Sequence, residues 1–201
     1  MMLIIASYSQ GLAQERPMRI GAKLGIPNIS GLHFEYVTPW LDGKLAPSLD
    51  ISYIPLNASS FRSYKSVDNG IESFYYSYVE LGLNYYFFKQ GRGLYTNVSL
   101  ARAHLDFSFS DYQSDESGKR GGVGELDVNL NLINFKLGAK LGKTFYFRPE
   151  IGVSVIGGNV DDFNFTVTYP DGTTERVDAD DISDVLISLT PVFNIGFGFA
   201  F

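Results

Sequence analysis

The chain is 201 residues long, enough for one β domain, and has no cysteine, which excludes a disulfide framework and thiol chemistry. A formal net charge of −6 and a pI near 4.9 make DNA or another polyanion an unsuitable partner. No run of roughly 18 apolar residues occurs, so a spanning helix is excluded; 21 glycines, 16 phenylalanines and 13 tyrosines instead suit paired strands joined by turns.

Leu3 to Ala6 is a short apolar stretch, and the small residues Gly11 and Ala13 precede Gln14. Residues 1–13 are therefore expected to be an export signal, shortened at its start because no Lys or Arg precedes the apolar stretch. The remainder, 17–201, is expected to form a single β-barrel domain. The first predicted strand, from Met18 to about Ile26, sets Ile20, Ala22 and Leu24 against Arg19, Gly21, Lys23 and Gly25. Pro27 to Gly31 turns the chain. The second, Leu32 to Trp40, sets Leu32, Phe34 and Tyr36 against His33 and Glu35. A tight turn at Asp42-Gly43-Lys44 leads into the third, where Leu49, Ile51 and Tyr53 oppose Ser48, Asp50 and Ser52. Residues 57–73 are polar and read as a surface loop.

The fourth predicted strand, Phe74 to Phe88, alternates Val79, Leu81, Leu83, Tyr85 and Phe87 against Glu80, Gly82 and Asn84. After a turn at 89–93, the fifth, Leu94 to Phe109, changes its apolar parity. Leu94, Val98 and Leu100 are even, while Leu105, Phe107 and Phe109 are odd. The sixth, Leu126 to Leu141, changes as well. A β-bulge near Ala101-Arg102, matched on the sixth strand, is the expected cause. The seventh follows Gly142-Lys143 and sets Phe145, Phe147, Ile151, Val153 and Val155 against Arg148, Glu150, Gly152 and Ser154. A long acidic connection with its own hairpin at Pro170-Asp171-Gly172 leads to the eighth, which ends the chain. Pro191, lacking an N–H, is expected to open a gap or bulge in that strand.

The connections alternate between short turns and long loops, the pattern of a barrel whose strands cross a membrane. In lipid every backbone N–H and C=O must be paired, and a closed sheet achieves this without helices. An even strand count puts both termini on the short-turn side.

In the last strand Phe193, Ile195, Phe197, Phe199 and Phe201 alternate with Asn194, Gly196, Gly198 and Ala200. Aromatic residues outward and small ones inward are what a small membrane barrel requires. Here the chain resembles the small bacterial outer-membrane β-barrel family (OmpA-like, OmpX-like and PorT-like barrels). The resemblance implies that Phe197, Phe199 and Phe201 form an assembly signal ending in a terminal aromatic, read by the barrel-assembly machinery. It implies a bacterial outer-membrane location with periplasmic termini, among lipid and lipopolysaccharide. Its PorT-like branch implies a part in protein secretion.

With the bulges allowed for, Arg19, Lys23, Arg102, Lys136, Lys140 and Arg148 share the non-lipid face with Glu35, Asp50, Glu80, Asp106 and Glu150. Arg or Lys at mid-membrane on the lipid face costs about 2–4 kcal/mol, which gives this parity a physical reason. Six cations and five anions in a narrow lumen are expected to pair as an ion network that plugs it as a solid polar core, in preference to an ion path, because eight strands leave an interior only just filled by side chains. Trp40, Tyr85 to Phe88, Tyr95, Phe145 to Phe147, Phe199 and Phe201 are expected to form one aromatic belt. Phe74 to Tyr78, Phe107 and Phe109 are expected to form the other.

No catalytic motif is found. His33 and His104 are placed inside the barrel with Glu35 and Asp106, as structural residues, although the lipid-deacylase type of barrel would carry its catalytic groups facing lipid. Asp161, Asp162, Asp171, Glu175, Asp178, Asp180, Asp181 and Asp184 crowd one connection. Of these, Asp178, Asp180 and Asp181 are weak candidates for a divalent cation bridging lipopolysaccharide phosphates, without the ligand spacing of a calcium loop. The expectation is an all-β, eight-stranded, antiparallel, up-and-down transmembrane barrel. It is monomeric, without cofactor or nucleic acid, and structural, adhesive or accessory to an envelope protein partner. A narrow solute channel and a soluble lipocalin-like barrel are the alternatives.

Overall fold

The computed structural model describes residues 16–57, 71–114, 118–157, 164–178 and 190–201. Its strands are β1 (Met18–Ile26), β2 (Ile29–Tyr36), β3 (Leu45–Asn57), β4 (Ile71–Tyr86), β5 (Gly93–Tyr112), β6 (Gly122–Gly142), β7 (Phe145–Gly157), β8 (Asn164–Thr168), β9 (Thr174–Asp178) and β10 (Thr190–Ala200). Strands β1 to β7 and β10 each pair antiparallel with their neighbours, and β1 pairs β10 from Arg19↔Ala200 to Ile26↔Phe193, closing an eight-stranded barrel. Closure removes the free edges that an open sheet would expose. At the seam Met18 and Phe201 exchange backbone bonds of 3.0 and 2.9 Å, so both described termini lie on the rim of the short turns.

The predicted hairpin is present as β8 and β9, with Gly172 N–H donating to Tyr169 C=O across the turn at 2.9 Å. It covers an edge. Among the described residues β7 pairs with β6 only as far as Gly157, opposite Asn131, and β8 pairs on that side with Val123 to Glu125.

Three expectations are corrected. Neither β5 nor β6 is bulged where their apolar parity changes. The ladder runs in register from Gly93↔Lys140 to Phe109↔Gly124, with irregularities only between Phe109 and Tyr112 and, against β4, between Ile71 and Ser73. The backbone keeps its alternation; the surroundings change. Up to Leu100 and Ile133 the outward residues are apolar apart from Thr96, and beyond them Arg102, His104, Asp106, Asp127, Asn129 and Asn131 take the outward positions. Arg102 and Asp106 are exposed on the outside, not in the lumen, and His104 shares their face. Pro191 causes no bulge either, since β10 pairs with β7 in unbroken register from Thr190↔Ser154 to Phe199↔Phe145.

The interior therefore changes along the barrel axis. Nearer the loop rim it is apolar: Tyr76, Tyr78, Ala101, Ala103 and Leu132 form one cluster, and Leu126 and Val128 another. Toward the termini it is polar and charged, with a small apolar floor of Val37, Ala46, Tyr86 and Tyr95.

Candidate functional site

The charged side chains gather in the terminal half of the lumen because β1, β2, β3, β4, β6 and β7 each turn one parity inward there. Nine of the eleven expected lumen residues are buried together: Arg19, Lys23, Glu35, Asp50, Glu80, Lys136, Lys140, Arg148 and Glu150. Arg102 and Asp106 are the two that are not.

Glu35 is the hub. It accepts from Arg19 at 2.8 Å, from Arg148 at 3.0 Å and from Lys140, and also from the Tyr86 hydroxyl at 2.9 Å and Asn84 Nδ2 at 2.9 Å. Glu150 takes Arg148 at 2.8 Å, Lys23 at 3.0 Å and the Tyr95 hydroxyl at 2.6 Å. Lys23 also pairs with Asp50, and Lys136 with Glu80, which accepts from Tyr78 at 2.6 Å and Asn134 at 3.2 Å as well. Lys140 lies over the rings of Tyr86 and Tyr146 at 5.1 Å each, and Arg148 over Tyr95 at 4.7 Å. Each carboxylate thus meets a cation and further donors, the condition under which buried ions are tolerated.

His33 belongs to the same web. Its Nε2 meets the Arg148 guanidinium and its Nδ1 meets the Asp50 carboxylate. His104 lies elsewhere, on the outer wall. It stands across the ladder from Ser77, with Nδ1 at 3.3 Å from Asp127 and its ring edge-on to Tyr75. Among the described residues no hydrogen bond joins Ser77 to His104, so the geometry of an activated nucleophile is not assembled there.

The tyrosines are what the sequence reading missed. Tyr86, Tyr95 and Tyr146, expected in a lipid-facing belt, point inward and are at most 1% exposed; Tyr76 and Tyr78 are buried too. Phe74 and Phe107 pack on the inner apolar clusters, and Phe109 fills the space beside Gly124. Parity carried the signal: Tyr86 is two residues from Asn84 and Tyr95 two from Asn97, both buried.

The outward face nearer the termini carries Trp40, Phe88, Phe145, Phe197, Phe199 and Phe201, all exposed, so the three residues expected as an assembly signal face outward together. Tyr53 and Tyr75 meet edge-on at 5.0 Å on the outside toward the opposite rim. Of the cation candidates, Asp178 ends β9, while Asp180 and Asp181 lie outside the described residues, as do residues 1–13. Among the described residues no cluster of acidic or histidine side chains could hold a metal ion. At the β8–β9 tip, hydrogen bonds from the Thr173 hydroxyl and N–H hold the Asp171 carboxyl below its usual range.

Together these features define a closed, antiparallel, up-and-down barrel of eight strands, with ionic side chains enclosed and an apolar band outside. No protein-family model matches the chain, and no curated protein matches it. Among solved structures it is similar to the N-terminal β-barrel domain of Pseudomonas aeruginosa OprF (16% identity, 94% of this chain and 100% of that one, TM-score 0.45). It is similar also to Acinetobacter baumannii CarO (14% identity, 92% and 98%, TM-score 0.48). A third is a major outer membrane protein from Thermus thermophilus (11% identity, 92% and 97%, TM-score 0.44). At such identities and TM-scores no role is carried over to this chain.

Proposed function

We propose that this chain is an integral β-barrel of a bacterial outer membrane whose lumen is closed by its own side chains. Its work is structural, adhesive or accessory to an envelope assembly, done through the connections on the rim opposite the termini. One observation carries the reading: buried ions inside a wall whose outer face is apolar. On β6 that face reads Ile133, Phe135, Leu137, Ala139, Leu141, close to the ~9–11 residues that a tilted strand needs to cross the hydrocarbon. A soluble ligand-binding barrel has the opposite polarity, an oily pocket within a charged exterior. The termini lie in the periplasm, where the barrel-assembly machinery meets Phe197, Phe199 and Phe201. The barrel acts as a monomer surrounded by lipid and lipopolysaccharide, and no catalytic role is proposed.

A solute channel is the second reading, and the packing of the lumen opposes it. Arg148, Tyr78, Tyr86, Tyr95, Tyr146, Lys23, His33 and Glu150 are each less than 2% exposed. An eight-stranded barrel has an interior only just wide enough for side chains to fill. The test has two arms. Unboiled samples in detergent should migrate differently from boiled ones, as a lipid-facing barrel does; identical mobility would overturn the membrane reading. Planar bilayers holding the protein should show no steady conductance, and a discrete single-channel current would replace the closed lumen with the channel.

A further inference from the structure

We propose that the mouth of the barrel at the termini rim is a binding site for a phosphate-class oxyanion. A cavity of about 680 Å³ lies there, between the β4–β5 turn, the β6–β7 turn and the two described ends of the chain. Arg16, Arg19, Lys89, Arg92, Lys140 and Lys143 line it, with no carboxylate among the described lining residues, in a chain whose net charge is −6.

Two further observations point to an anion. The described lumen buries five cations (Arg19, Lys23, Lys136, Lys140 and Arg148) against four carboxylates (Glu35, Asp50, Glu80 and Glu150). Lys136 has Glu80, Lys23 has Asp50, and Arg148 has Glu150, which leaves Arg19 and Lys140 to share Glu35 with Arg148. The surplus positive charge therefore falls in the wall of this cavity. Arg19, moreover, is only 7% exposed, and its Nε has no hydrogen-bond partner among the described residues. A buried charge without compensation is costly, and an oxyanion at the mouth would supply what the protein lacks. Phosphate suits the site because guanidinium and ammonium donors converge on it from several sides, and its oxygens accept several charge-assisted bonds at once. The volume has room for a hydrated phosphate or for a phosphodiester headgroup reaching over the rim.

The test uses the refolded barrel in zwitterionic micelles, titrated with inorganic phosphate against sodium chloride at equal ionic strength and followed by calorimetry and phosphorus NMR. A parallel arm uses nanodiscs of phosphatidylcholine with and without phosphatidylglycerol, with retained lipid read by native mass spectrometry. Saturable uptake of inorganic phosphate supports the site with free phosphate as the source. Selective retention of phosphatidylglycerol without phosphate uptake supports it with the leaflet headgroup as the source. The triple variant Lys89→Ala, Arg92→Ala, Lys143→Ala, which leaves the lumen untouched, should lose at least tenfold in affinity while keeping the wild-type mobility shift on heating. Lys143→Glu alone serves as a milder second variant with the same direction. Absence of both forms of binding in the wild type overturns the proposal, as does undiminished binding in folded variants.

Discussion

Glu35 shows how much a single side chain can be asked to hold. It answers three buried cations and two neutral donors. Replacing it with Gln removes the charge but not the shape, and should cost about 3–5 kcal/mol because its partners stay buried without an anion. Glu80→Gln deprives only Lys136 of its partner and should cost less. Urea unfolding of the refolded barrel in lipid vesicles measures both, and equal losses would contradict the hub. On the outer wall, His104→Ala should leave lipid A acylation unchanged in cells carrying the variant; altered acylation would make the Ser77–His104–Asp127 neighbourhood catalytic after all. The buried ions were legible in the sequence because parity alone sorts Arg148, Glu150, Lys136 and Lys140 from their neighbours. Tyr86 and Tyr95 were not, because an aromatic residue near a rim suits both a headgroup belt and a lumen wall, and composition cannot choose between them.

Among the elements, β5 and β6 carry the lesson about medium. A strand that leaves one solvent for another can exchange the polarity of its two faces without any change in its backbone. The change of parity was read as an inserted residue because only a single medium was assumed along the strand. Its place on paired strands, at Leu100↔Ile133, instead marks one edge of the apolar band. Leu81, 64% exposed within that band, and Asn129, beyond it, are the two sides of the boundary. Leu81→Arg should destabilise by about 2–4 kcal/mol in vesicles and Asn129→Arg by about 0–1 kcal/mol. Similar costs at both positions would remove the boundary. Inside the wall, Gly138 faces the Tyr95 ring so closely that a Cβ there would collide with it. Gly138→Ala should therefore cost about 1–3 kcal/mol, measured by the same unfolding, and Tyr95→Leu in the same chain should recover part of it. Strand count, short turns and the β8–β9 hairpin were all legible, since alternation and Pro-Asp-Gly chemistry are local. Strand ends were not: the far parts of β5 and β6 are held by pairing to each other and to β8, which local sequence does not record.

For the molecule as a whole, unequal strand length shapes the rim opposite the termini. β5 and β6 run for 20 and 21 residues while β1 and β2 stop at 9 and 8, so the wall stands high on one side and low on the other. If the high wall is the working platform, an adhesive or accessory partner should be lost when β8 and β9 are replaced by a short linker, with the barrel still folded. Pull-down from native membranes before and after that deletion measures it, and an unchanged set of partners would move the platform elsewhere. The charge web adds a last consequence. Lys23 on the first strand reaches Asp50 on β3 and Glu150 on β7, and Arg148 on β7 reaches Glu35 on β2. The ties from Lys23 to Glu150 and from Arg148 to Glu35 cross the β1–β10 seam, so they exist only once the first strand has met the last. They work as a latch: a sheet stalled one strand short would carry bare charges on the surface that must become its dry centre. Insertion and zipping are then coupled, and the chain has no comfortable resting place in lipid until the cylinder is whole.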